Sequence, residues 1–234
     1  MKKIKIVPIV FSMLLISYTA AIVNAQDNLG ARIILGTNEV KNVKYHVYNP
    51  PFHAKIIYGD TIEAANKFPE QLMSSMISVK NQAWVDYNTL GGAEESSKIK
   101  LEEFDKSKSF SKDNHYMELL SKLEFEVNGD KMAIIKFYLH SEDREKPVAG
   151  ATVMQYVGNR WYETSKPYTT TMAMAIMVFK TDVMTSLLTG ESENELVSKL
   201  IKKVFDNGLN FDKLLEQQDL TDEEKAAFTN PLNW

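Results

Sequence analysis

In the middle of the chain, apolar and polar residues alternate. Leu123, Phe125 and Val127 are spaced by Glu124 and Glu126; Asn128-Gly129 then interrupts, and a largely apolar run follows from Met132 to Leu139. A period of two marks a strand with one face buried. Asn-Gly between two such runs predicts a tight hairpin, because a type I′ turn needs positive φ at both central positions. Val148 to Val157, Gly158-Asn159 and Trp161 to Thr164 repeat the arrangement, so a second hairpin is predicted and the runs join as an antiparallel meander. Upstream, Arg32 to Leu35 and Lys44 to Tyr48 read as extended pieces bounded by Gly36 and by Asn49-Pro50-Pro51, which makes residues 26–60 an N-terminal β arm.

Helical spacing flanks the meander. Thr61 can cap a short stretch. Pro69 then suits a first helical position, and Leu72, Met73, Met76, Ile77, Trp84 and Val85 predict one long helix that ends at Gly91-Gly92. Glu94 to Asn114 is highly charged and reads as a surface helix plus loop. Thr169 to Phe179 is apolar with a β-branched start and is expected as a buried strand. Ser192 to Glu195 forms a capping box ahead of Leu196, Val197, Leu200, Ile201, Val204 and Phe205, and Thr221 to Glu224 forms a second before a short final helix. The predicted fold class is α+β: a curved antiparallel sheet covered by helices over residues 61–180, with a C-terminal helical extension over 181–234.

The first 25 residues change where this domain is expected to work. Lys2, Lys3 and Lys5 precede an almost wholly apolar run from Ile6 to Val23, and Val23-Asn24-Ala25 has the form of a cleavage site. A secretory signal is the expected reading, with the mature protein periplasmic or extracellular in a bacterium. A membrane anchor is the rival, but Pro8, Ser12, Ser17, Thr19 and Asn24 dilute the run. The formal charge of the whole chain is -4, and loss of the three signal lysines takes it to -7. Nucleic acid is therefore an unsuitable partner. With no Cys, stability must come from the core, without a disulfide framework. Trp234 ends the chain as an aromatic residue, but a charged helix and Asn-Pro precede it where an outer-membrane barrel needs an alternating strand.

A helix followed by a curled meander, with Asn128-Gly129-Asp130-Lys131-Met132-Ala133 on one hairpin and Gly158-Asn159-Arg160-Trp161-Tyr162 on the next, resembles the cone-shaped nuclear transport factor two-like superfamily over about residues 61–164. The resemblance implies a concave sheet roofed by helices around a pocket. Some members use that pocket for isomerase, dehydratase or cyclase chemistry, and many only bind there. The β arm and the helical tail lie outside the minimal cone, and either could fill or roof its mouth.

No short motif marks a reaction centre. The chain lacks a Gly-rich phosphate loop, a Gly-x-Ser-x-Gly elbow and a Cys nucleophile. His46 and His53 match no compact metal spacing, and Asp86 with Tyr87, or His115 with Tyr116 and Glu118, read as helix surface or caps. On the strand from Met132, the row Ala133, Ile135, Phe137, Leu139 is wholly apolar and is the expected core face. The row Met132, Ile134, Lys136, Tyr138, His140 is then expected to face solvent or a second subunit; were it the pocket wall instead, Gln155 would join it. The leading expectation is a non-enzymatic binding or assembly module that captures a small apolar ligand or an envelope protein, or pairs as a homodimer, through Lys136, Tyr138, His140, Tyr156 and Trp161. Two alternatives stand beside it. One is a lyase or isomerase with an ionisable residue buried in the cone, and the other is Cu(I) handling by Met172, Met174 and Met177. No cofactor and no resident metal are called for.

Overall fold

The computed structural model describes residues 26–27, 33–35, 38–96, 112–205, 208–216 and 220–230. The expected signal segment, Trp234 and most of the expected charged helix after Glu94 lie outside the described residues.

The fold is α+β, an open antiparallel sheet with helices on both faces. Its strands are β1 (Gln26–Asp27), β2 (Ile33–Leu35), β3 (Asn38–Lys55), β4 (Tyr116–Val127), β5 (Asp130–His140), β6 (Val148–Val157), β7 (Arg160–Glu163) and β8 (Leu209–Asn210). They are ordered β7-β6-β5-β4-β3-β2-β8, with β1 against β3 and only the β2–β8 pair parallel. Both predicted hairpin turns form. Asn128 and Gly129 have φ of 54° and 85°, and Gly158 and Asn159 have 55° and 70°, as the primed turn demands. The 18 residues of β3 belong to this sheet, paired with β4 from Val40 to Lys55 with interruptions between Lys41 and Lys44 and between Val47 and Phe52.

Irregular pairing decides which side chains meet. On β4, Leu120 is an extra residue: Leu119 opposes Phe137 while Ser121 opposes Lys136. Opposite it, β3 loops out Tyr48 to Pro51 between Val47 and Phe52. A one-residue bulge reverses the facing of everything beyond it. Leu119 thus packs on one side of the sheet, and Leu123, Phe125 and Val127 pack on the other.

Each face has its own helical cover. On one side α1 (Pro69–Ile77) places Leu72 and Met73 on Ala54, Leu119, Ala133, Ile135, Met154 and Trp161. The long helix predicted there is two, because α2 (Gln82–Asn88) restarts after a break at Ser78 to Asn81. The Asn81 side chain accepts from the Trp84 amide as its cap, and the Ser78 hydroxyl closes α1 on the Ser74 carbonyl. A single turn, α3 (Ala93–Ser96), follows.

The other side carries α4 (Pro167–Val178), α5 (Thr181–Thr189), α6 (Glu195–Val204), α7 (Phe211–Leu215) and α8 (Asp222–Phe228). Their apolar faces close over Tyr45, Leu123, Phe125, Met132 and Ile134. Two local expectations are corrected here. The run from Thr169 to Val178 is helical, begun by Pro167 at a first helical position, with Phe179 extended at its end. The α6 cap is Asn194, which accepts from the Leu196 and Val197 amides, and not Ser192. The Thr221 capping box forms as predicted, with both reciprocal bonds to Glu224.

Candidate functional site

The residues singled out on the sheet do not form one surface. Tyr156 and Trp161 lie on the α1 face, with ring centroids 5.3 Å apart and the Lys131 ammonium over both rings. Trp161 is 2% exposed and belongs to the core. Lys136, Tyr138 and His140 lie on the opposite face, and so does Gln155, the cross-strand partner of Met132. Lys136 does not point outward: it is 1% exposed, roofed by the C-terminal helices, and its ammonium donates to the Phe179 carbonyl at 2.5 Å. The sequence expectation failed there because the C-terminal helices cover the second face as fully as α1 covers the first. Burial pushes the Lys136 amine down to about 8, against a smaller opposing pull from Asp182.

Past Lys136 the helical cover ends, and the same row emerges half-buried as Tyr138 and His140. Across β4 they oppose Glu118 and Tyr116, and across β3 Glu118 opposes His53. His140 Nε2 lies 2.8 Å from Glu118 Oε2, and the His140 ring stacks on Tyr116 at 4.5 Å and 6°. His53 stands 4.8 Å from Tyr116 on its other side. Burial and the Glu118 charge both raise the Tyr138 phenol. Three adjacent strands thus present a ladder of aromatic, imidazole and carboxylate groups on a hydrogen-bonded frame. The sequence reads Tyr116 and Glu118 as helix surface or cap and places His53 in the N-terminal β arm. The available signal was the Leu119-Leu120 doublet, which breaks the alternation where the bulge turns Glu118 toward Tyr138.

A second polar group sits on the α1 face. The Glu70 carboxylate accepts from the Tyr48 hydroxyl and from Lys122 Nζ at 2.8 Å, and Lys122 reaches Glu124 at 3.1 Å. Burial raises Glu70, but the Lys122 charge and the hydrogen bonds from Lys122 and Tyr48 outweigh it and hold the carboxyl below its ordinary value. Burial and the Lys122 charge hold down the neighbouring His46 imidazole, which meets the Tyr48 ring edge-on at 4.6 Å. Every charge in this group has a partner, as in a structural cross-link.

Among the described residues, the space between α1 and the sheet is packed core, filled by Leu72, Met73 and Trp161. A cleft of about 470 Å³ instead opens at the end of β7, lined by Thr89, Leu90, Gly91, Glu95, Glu163 and Lys166 among others. Burial raises the Glu163 carboxyl. Among the described residues no three of His, Cys, Asp and Glu converge as a metal site. The helical form of α4 also separates the thioethers, with Met172 in the core and Met174 48% exposed. No described helix is long and apolar enough to cross a membrane. Comparison with family models, with curated proteins and with solved structures finds no match to this chain.

Proposed function

We propose that the chain is an exported, non-enzymatic binding module that captures an envelope protein on the open end of its sheet, through His53, Tyr116, Glu118, Tyr138 and His140. One observation carries the reading: a single side-chain row passes from full burial at Lys136 to an open, interlocked aromatic group at Tyr138 and His140. Strand-borne side chains lose little further freedom on binding, Tyr and His join apolar area to polar tips, and Tyr is among the residues enriched in protein-recognition hot spots. The signal-like N-terminus supports a place outside the cytoplasm. The curved sheet with helices keeps the cone-like superfamily as the structural analogy for the scaffold.

The test is affinity capture from the host envelope with the mature chain and with the double variant Tyr138→Ala/His140→Ala. A partner held by the parent and lost by the variant, at equal melting temperature, supports the proposal. Equal capture by both chains overturns it. Self-association measured by native mass spectrometry separates a second copy of the chain from a foreign partner.

A second reading, a small-molecule lyase or isomerase, draws support from one feature. Glu163 is a desolvated carboxyl in a cleft, the environment that poises an acid or base. With the sheet interior filled, its chemistry would sit at that peripheral cleft.

A further inference from the structure

Glu163 is the last residue of β7, and its backbone is held from three directions. It pairs with Met154 on β6, bridges Thr89 beyond α2, and its carbonyl accepts from the Leu90 amide at 2.8 Å. The following amide, of Thr164, donates to the Val153 carbonyl at 3.0 Å. The position of the side chain is therefore fixed by the sheet, while the α2–α3 turn and the loop into α4 form the walls of the cleft around it.

The carboxyl has no such support. Among the described residues no hydrogen bond or ion pair reaches it, and burial alone perturbs it. Lys166 lines the same cleft yet forms no ion pair with it. Glu70 on the same face of the sheet shows the contrast: comparably buried, it is met by Lys122 and Tyr48 and stays ionised. A carboxylate partly withdrawn from water, with no cation paired with it, gains from a cation brought to it. Two acids and no histidine line the walls, and among the described residues no three His, Cys, Asp or Glu side chains converge there to hold a metal. The apolar Leu90 beside them favours an organic cation.

We propose that this cleft binds a small molecule carrying a primary ammonium on an aliphatic stem, with the Glu163 carboxylate accepting the charged N–H donors. The volume of about 470 Å³ lies within the range of small-ligand sites. The stem would lie along Leu90, and the ammonium would supply charge-assisted hydrogen bonds that the described residues leave unmade. The site is independent of the sheet-end surface proposed above.

The experiment is calorimetric titration of the mature chain with n-pentylamine, with n-pentanol as the neutral counterpart. Pentylamine is expected to bind with one-to-one stoichiometry and pentanol at least about tenfold more weakly. Glu163→Gln, close in shape and without the charge, is expected to lower the amine affinity by about tenfold or more and leave pentanol unaffected. The parent chain provides a control that needs no variant. Its affinity for the amine falls as pH is lowered from neutral toward the ordinary carboxyl value of 4.5, because the ligand requires the ionised carboxyl and burial makes this one take up its proton earlier. Equal binding of amine and alcohol, Glu163→Gln binding like the parent, or an affinity flat across that pH interval would each overturn the proposal. Tyr138→Ala/His140→Ala is expected to bind pentylamine unchanged, which separates this site from the protein-capture reading.

Discussion

The two halves of β5 carry one side-chain row through two different environments. In the first half Met132, Ile134 and Lys136 lie beneath α4 to α8, at or near zero exposure. In the second half Tyr138 and His140 are half-buried and face Glu118 and Tyr116 on β4, with Ala149 of β6 beside Tyr138. A polar group under the cover is cut off from water, and Lys136 meets a backbone carbonyl at Phe179. Polar groups beyond the cover can pair with each other and still present free edges. The boundary between core and candidate surface therefore falls between Lys136 and Tyr138, set by where the C-terminal helices end.

The sharpest way to break that comparison is to delete an aromatic ring on each side of the boundary. Phe125, 1% exposed beneath the helices, should cost about 3–5 kcal/mol on replacement by Ala, read by denaturant unfolding. Tyr138→Ala should cost about 1 kcal/mol or less. Comparable losses would mean that the second half of β5 is core as well.

Lys136 gives the next largest effect, and its sign is fixed by burial. The folded amine titrates near 8 and the unfolded one near 10.5, so between these values the unfolded chain binds more protons and stability rises with pH. Below about pH 8 the full penalty of about 3 kcal/mol is present, and above about pH 10.5 it is gone. Lys136→Met should flatten this dependence and leave the protein as stable or more stable at neutral pH, since an apolar group of similar size meets the same packing. A parent chain whose stability is flat from about pH 7.5 to about pH 10.5 would show that Lys136 is solvated and the cover open.

On the α1 face the charges are paired, and the pH dependence has the same sign but lies in the acid range. Glu70 titrates below its ordinary value, so it contributes stability that is present above the unfolded value of 4.5 and is lost as pH falls through the folded one. Glu70→Gln should cost about 1–2 kcal/mol at neutral pH and remove part of the acid sensitivity. An unchanged acid limb in that variant would detach this group from the stability of the α1 face.

How much of this could be read from the sequence follows from which interactions are local. Both hairpins were legible because positive φ at both turn positions is written as Asn-Gly and Gly-Asn. The alternation of Leu123, Phe125 and Val127 was legible for the same reason, as was the Thr221 capping box. The helix α4 was not: its apolar residues run round much of its circumference, so periodicity could not separate helix from strand, and the β-branched start favoured the wrong one. Lys136 misled because a cation in a strand reads as a solvent mark, and only a tertiary roof some forty residues downstream overrides it. The site ladder was illegible as a unit, since His53 and Glu118 meet through pairing across the β3–β4 irregularities and no spacing encodes that.

The smallest predicted effect on stability tests the functional side of the boundary. His140 meets Glu118 at 2.8 Å with both side chains about a quarter exposed, and pairs at such exposure contribute about 0–1 kcal/mol. His140→Ala should therefore shift thermal unfolding by only a few degrees or less. Binding should respond differently, because the imidazole is held on one face by Tyr116 and on its edge by Glu118, which leaves its remaining edge preoriented for a partner. Loss of capture with little loss of stability is the pattern expected of a recognition residue. His140→Ala that unfolds the protein would place the ladder with the core, and the contrast along β5 would then mark only a gradient of burial.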